Sequence, residues 1–209
     1  MSSISFPDHF RAERASAILR CDDADTAALA MEAAIAGGFS IVEFTLTIPK
    51  AFDLICDFSK RPGITVGAGT VLSPDDAEAA VAAGAAFLVS PVYDPEVVDA
   101  ASRLGRPVMP GIHTPTEALA AYRRGAQLQK VFPAPAGGPV WIRSTLAPLP
   151  FLRLVPTNGV DEHNVRDFFA AGAWAVGFTT ALFEPAALAA KDRGRITERA
   201  RLLRDRVRG

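Results

Sequence analysis

Apolar runs of four to seven residues alternate with longer Ala-rich segments along nearly the whole chain. Residues 16–21 (SAILRC), 41–46 (IVEFTL), 64–70 (ITVGAGT) and 87–90 (FLVS) are short, apolar and bounded by turn formers, so each predicts a strand. The same reading applies to 107–111, 127–132, 151–156 and 173–178. Between them, apolar positions at three- and four-residue spacing predict helices over 24–38, 73–84, 94–104, 114–125, 138–146 and 162–171. A further helix is opened by Pro49, and a last helical region follows residue 178. Ser73-Pro74 and Thr114-Pro115 read as caps followed by a first-turn proline, with Gly84 and Gly125 as stops. Four strands are launched from a glycine, in GFSIVEF, GAAFLVS, GAQLQKVF and GAWAVGF. Those glycines, Gly38, Gly84, Gly125 and Gly172, lie 46, 41 and 47 residues apart. Each interval holds two βα units of roughly 20–25 residues. Eight such units, with strands apolar enough to be covered on both faces, predict an α/β fold. The expected architecture is a (β/α)8 TIM barrel with an extra N-terminal helix, residues 1–209 forming one domain. A doubly wound open sheet is the alternative.

Two residues break this pattern. Lys130 sits in the middle of QLQKVFPA (127–134), where lysine is a poor strand former and is rarely fully buried. In a closed barrel neither side of that strand meets bulk water except near its C-terminal end. An unpaired buried ammonium costs several kcal/mol, against roughly 5–15 for the stability of a whole domain. Lys130 is therefore paired, exposed at the top of the barrel, or largely neutral and so a nucleophilic amine. The chain has 18 Arg and four Lys, and Lys130 is the one lysine inside an expected strand. Arginine cannot form an imine because it holds its proton. Glu43, in IVEFTL, is the second anomaly and lies near the end where catalytic groups of such barrels gather. An amine and a carboxylate could share one pocket; a purely structural Lys–Glu pair is the other reading. VGAGT (66–70) and VPTNG (155–159) end two strands with small residues and a hydroxyl, which suits a ligand approached closely by backbone.

Composition narrows the partners. The formal charge of -1 argues against a nucleic-acid binder, and no apolar stretch reaches the ~20 residues of a membrane span. The opening residues lack the apolar core of a signal peptide. Cys21 and Cys56 stand outside any CxxC pattern, and His9, His113 and His163 lack ligand spacing. A soluble, cytoplasmic, metal-free protein is expected. The one basic segment is 191–209, with eight Lys/Arg against three Asp/Glu. There Ile196, Ala200, Leu203 and Val207 recur at helical spacing, predicting a terminal helix docked by its apolar side.

Taken together, VEFTLTIP, VGAGTVLSP, FLVSPVYDPEVV, MPGIHTPTEALAAYRRGA, KVFPA, GGPVWIRSTLAPLP and VPTNGV resemble, in order, the class I aldolases of 2-keto-3-deoxy-6-phosphogluconate and 4-hydroxy-2-oxoglutarate. The resemblance implies that Lys130 forms an imine with a 2-keto acid, that Glu43 is the acid/base carboxylate, and that Thr70 holds the pyruvyl carboxylate. It places further substrate contacts on Pro91, Phe132 and Thr157, and on Gly159, Gly177 and Thr179 toward a distal phosphate. It also implies a homotrimer, no metal or organic cofactor, and pyruvate plus glyceraldehyde 3-phosphate as products.

Two departures bear on the substrate. Where the phosphogluconate enzymes commonly carry an arginine, this chain has Thr47, and Arg20 at the end of the first strand is the best replacement. AILR with a non-arginine at position 47 looks more like the 6-phosphogalactonate branch. The usual Gly-Gly pair is Asn158-Gly159, and the last strand ends GFTTAL, so Phe178 and Thr179 reduce backbone freedom near the phosphate end. A non-phosphorylated substrate such as 4-hydroxy-2-oxoglutarate, decarboxylation of oxaloacetate, and a ligand-binding barrel without catalysis are the competing readings. His113 is a satisfied loop histidine or a contact to the distal substrate.

Overall fold

The computed structural model describes residues 5–209; the reading that the opening residues lack the apolar core of a signal peptide rests in part on residues 1–4, outside that range. Helix α1 (Phe6–Glu13) starts behind Ser5, whose hydroxyl accepts the Asp8 N–H, and leads into β1 (Ala15–Leu19). There follow α2 (Ala24–Ala36), β2 (Ile41–Thr45), α3 (Ala51–Ser59), β3 (Thr65–Gly69), α4 (Pro74–Ala82), β4 (Phe87–Val89) and α5 (Pro95–Arg103). The second half runs β5 (Val108–Met109), β6 (Gly111–Ile112), α6 (Pro115–Arg123), β7 (Gln129–Val131), α7 (Gly138–Leu146), β8 (Leu154–Pro156), α8 (Val165–Ala170) and β9 (Val176–Phe178). Helices α9 (Pro185–Ala189) and α10 (Arg193–Arg208) end the chain.

All strand pairs are parallel. Six strands form one sheet in the order β5-β4-β3-β2-β1-β9, and three form a second, β6-β7-β8. The expected fifth strand is thus two pieces. Pro110 between them has no N–H to donate; the piece before it pairs with β4 and the piece after it with β7. Beyond β8, one parallel bridge joins Thr157 to Gly177. The result is an α/β fold with a curled parallel sheet.

Local chemistry sets most element ends. Ser73 caps α4, and Thr114 forms a full capping box with Glu117. The four repeat glycines stand just past helix ends with φ between 101° and 105°, a region that L side chains avoid. Three boundaries differ from expectation. Helix α3 starts at Ala51 with Lys50 at φ 59°, so Pro49 lies outside it. Helix α8 starts at Val165, because the Asp161 carboxylate accepts the N–H groups of His163 and Asn164 and holds 161–164 in a turn. Strand β8 starts at Leu154, and Phe151 is exposed.

Two apolar clusters lie on opposite sides of the strands. The larger packs strands against helices and includes Ala17, Val42, Phe44 and Val131; α10 joins it through Ile196, Ala200, Leu203 and Val207. The smaller lies inside the curl and contains Ile41, Phe87, Val89, Met109, Leu128, Val155 and Ala175, together with Phe10 from α1. Helix α1 covers the N-terminal end of that interior. Phe6 stacks on Phe87 with centroids 4.5 Å apart, and the Trp174 indole donates to Pro7 O at 2.8 Å.

Candidate active site

Strand alternation decides which side chains enter the interior. On β2, Val42 and Phe44 join the helix-facing cluster and Ile41 the interior one, so Glu43 and Thr45 point inward above Ile41. On the β7 segment Val131 faces the helices and Leu128 the interior, so Lys130 also points inward. Strand β1 sends Ala15, Ala17 and Leu19 outward, leaving Ser16, Ile18 and the following Arg20 on the inner side. The two sequence anomalies therefore converge. Lys130 Nζ lies 3.9 Å from Glu43 Oε1, with the side chains 7% and 0% exposed.

Both Glu43 oxygens are buried without a hydrogen-bond partner. Burial pushes the Glu43 carboxyl above the ordinary carboxylate value, and Lys130 and then Arg20 pull part of that shift back. Such a group is suited to hold and release a proton. Its space comes from β3, since a Cβ on Gly69 would overlap the Glu43 carboxylate and one on Gly67 the Phe87 ring. These two glycines of VGAGT make room for protein side chains, and Thr70 is the residue of that stretch that lines the cavity.

Lys130 opens into a cavity of about 230 Å³ at the C-terminal ends of the strands. Arg20, Thr70, Pro91, Phe132 and Thr179 line it with Lys130. Arg20 Nη2 donates to Thr70 Oγ1 at 3.4 Å, and Lys130 Nζ lies 4.9 Å from the Phe132 ring centre. Other positions named from the sequence lie elsewhere. Thr47 reaches the cavity indirectly, through a 2.8 Å hydroxyl contact with Thr45. Thr157 is fully buried, and Gly177 makes room for it and for Ile18. Gly159 lines a neighbouring cavity of about 320 Å³ that shares Thr180 with the first. His113 lines a third cavity with Glu117, which accepts the His113 backbone N–H. Phe178 packs edge-on to Phe39 in the helix-facing cluster, away from the cavity.

Ile18, Thr45 and Phe183 also line the Lys130 cavity and were not anticipated. Thr45 and Ile18 were readable by alternation, two residues from Glu43 and Arg20; no sequence signal marks Phe183. Among the described residues, no group of three His, Cys, Asp or Glu side chains could hold a metal ion, and no helix is long and apolar enough to cross a membrane.

One amine beside one carboxylate, ringed by hydroxyls and a guanidinium, is the equipment of a carbon–carbon lyase working through a lysine imine. The sequence agrees with that class: the profile of the KDPG and KHG aldolases matches residues 7–199, and this chain belongs to that family. It is therefore an aldolase. The chain is 38% identical over 172 residues to a Rhizobium meliloti (strain 1021) protein named as a probable 2-dehydro-3-deoxy-6-phosphogalactonate aldolase, covering 81% of each. A native KDPGal structure superposes with a TM-score of 0.85 at 31% identity, over 93% of this chain and 94% of that one. A KDPG aldolase from Legionella pneumophila, with pyruvate captured as a covalent carbinolamine, superposes with a TM-score of 0.86 at 26% identity, over 94% and 97%.

Proposed function

We propose that the chain cleaves a 2-keto-3-deoxy-6-phospho sugar acid, of the gluconate or galactonate type, to pyruvate and glyceraldehyde 3-phosphate. The observation that carries this is the 3.9 Å approach of Lys130 Nζ to a Glu43 carboxylate with no other partner, beside an open cavity. The free amine of Lys130 adds to the C2 ketone, and the carbinolamine, its hydroxyl protonated by the Glu43 carboxyl, loses water to give a protonated imine beside the Glu43 carboxylate. Glu43, directly or across one water, takes the C4 hydroxyl proton. The C3–C4 bond breaks, its electrons pass into the imine, and the aldehyde leaves. Glu43 returns a proton to C3 of the enamine, and water releases pyruvate from Lys130.

Substrate ends follow from the lining. Arg20, held against Thr70, supports a grip on the pyruvyl carboxylate in place of the arginine absent at Thr47. Thr179, Thr180 and Asn158 lie on the cavity wall, and Thr179 Oγ1 donates to Asn158 Oδ1 at 3.4 Å. Among the described residues, no backbone carbonyl accepts the N–H of Gly159, Val160, Thr180 or Ala181, which supports a phosphate held by these two loops. The same reading includes one domain and an eight-stranded barrel. The single-residue break at Pro110, the Thr157–Gly177 bridge and a 2.9 Å hydrogen bond from Trp174 N to Leu154 O support closure. A cytoplasmic homotrimer, acting on a small 2-keto acid without nucleic acid, membrane or cofactor, completes it. Exposed Leu72, Val92 and Val140, in the segments that follow β3, β4 and β7, support burial against other copies. The test is pyruvate release from a panel of phosphorylated and free 2-keto-3-deoxy acids. Release from none of them rejects the proposed aldolase substrate.

A further inference from the structure

The two loops assigned to the phosphate come from different strands, β8 and β9, and are tied together by a third element. Arg199, in the middle of α10, donates from Nε to Ala181 O at 2.7 Å, immediately after Thr179 and Thr180. The same guanidinium forks onto Glu162 with both terminal nitrogens, Nη1 to Oε1 at 2.7 Å and Nη2 to Oε2. Glu162 belongs to the loop that begins at Asn158-Gly159. Its side chain is 14% exposed and that of Arg199 is 20% exposed, so the pair is largely withdrawn from water. Arg199 lines the cavity behind the two loops together with Gly159, Thr180 and Ala181, and it does not line the cavity that holds Lys130.

We infer that Arg199 is a positioning residue for the distal phosphate, fixing the 158–162 and 179–181 loops at one separation so that both address the same anion. The inference rests on the proposed phosphate end of the substrate. Its physical basis is the planar fork, which satisfies a carbonyl and a carboxylate at once; a lysine ammonium has the charge without that geometry. The pairing also neutralises Glu162, a carboxylate that would otherwise repel a phosphate beside the same loops.

The test compares Arg199→Met, Arg199→Lys and Glu162→Gln with the wild type. Each is assayed on a 6-phosphorylated 2-keto-3-deoxy acid and on its unphosphorylated counterpart. Borohydride trapping of pyruvate on Lys130 reports the imine site separately, and far-UV circular dichroism with Tm reports folding. Arg199→Met and Arg199→Lys should raise KM for the phosphorylated acid about 10–100-fold with kcat little changed, as expected when a supporting group lets binding geometry slip. Glu162→Gln, which weakens the fork but also removes the repelling charge, should raise it less. Pyruvate trapping and turnover of the unphosphorylated acid should stay at wild-type level. A phosphorylated-substrate KM that is unchanged in Arg199→Met, in a folded protein, overturns the inference. So does a parallel loss of pyruvate trapping, which marks a general structural role. Should Arg199→Met not fold, Arg199→Lys and Glu162→Gln carry the same comparison from either side of the fork. A wild type that handles both acids equally removes the phosphate reading itself, an outcome distinct from the other two.

Discussion

Two ion pairs in this molecule each bury a charged side chain and differ in how their atoms are satisfied. Arg204, 4% exposed, donates to Glu13 O at 2.6 Å and to Glu13 Oε2 at 2.8 Å, leaving only Nε without a partner. It ties the terminal helix to the end of α1. Glu43, equally buried, has neither oxygen hydrogen-bonded, and its cation stands 3.9 Å away. Burying charge is costly, and evolution ordinarily offsets the cost with directed hydrogen bonds, as at Arg204. A carboxylate left without them is kept available for another partner. The satisfied pair holds elements together; the unsatisfied pair is equipped for chemistry.

The largest way to break this contrast is at Lys130. Lys130→Ala and Lys130→Arg should both be inactive, because arginine restores the charge and not the nucleophile. Pyruvate with borohydride should add mass to Lys130 in the wild type and to none of Lys50, Lys60 and Lys191, as read by peptide mass spectrometry. Residual turnover in Lys130→Arg would mean the pair is held for its charge. Glu43→Gln comes next. It should still trap pyruvate while turnover falls by about 10²–10⁴-fold, the usual scale of general acid–base help. Full turnover in Glu43→Gln would leave the carboxylate with a structural role only.

Arg20→Ala should act more weakly. A charge-assisted hydrogen bond of about 1.5–3 kcal/mol corresponds to roughly 10–100-fold. If Arg20 holds the carboxylate, pyruvate trapping itself weakens, and Thr47→Arg restores it. If trapping survives and only phosphorylated substrates suffer, Arg20 serves the far end instead. Loss of neither leaves it a rim contact of Thr70.

What the sequence disclosed, and what it did not, divides along the same line. Lys130 and Glu43 could be read because a polar residue inside an apolar run is improbable without a reason. The repeat glycines and the proline-led caps could be read because their backbone geometry restricts residue choice. The break at Pro110 and the Arg199 fork could not, since each depends on partners far along the chain; the late start of α8 comes instead from the local turn at Asp161, which helical spacing alone does not mark. Residues 199 and 162 are 37 apart, and Glu13 and Arg204 are 191 apart. The smallness of Gly67 and Gly69 was legible, but the side chains filling the space, Phe87 and Glu43, arrive from neighbouring strands.

The smallest expected effect is on stability, and its sign separates the two pairs. A carboxyl whose folded pKa is raised binds its proton more tightly folded than unfolded. The stability it contributes is present below the ordinary carboxylate range and is lost as pH rises from there through the raised value. Glu43→Gln cannot titrate and escapes that loss. Its Tm should match the wild type at the acidic end and exceed it increasingly across that window, then run parallel above it. Arg204→Met should do the reverse, lowering Tm at neutral pH. Removing one partner of a buried pair costs about 3–5 kcal/mol when the other stays dry, and nearer 1–3 where it can be rehydrated. The Glu13 side chain is 29% exposed, which favours the lower figure. For a chain of this size each kcal/mol moves Tm by about 2–4 °C, so both shifts are within reach of calorimetry across a pH series. If Glu43→Gln is less stable than the wild type throughout, Glu43 is held by favourable interactions after all, and the two pairs are of one kind.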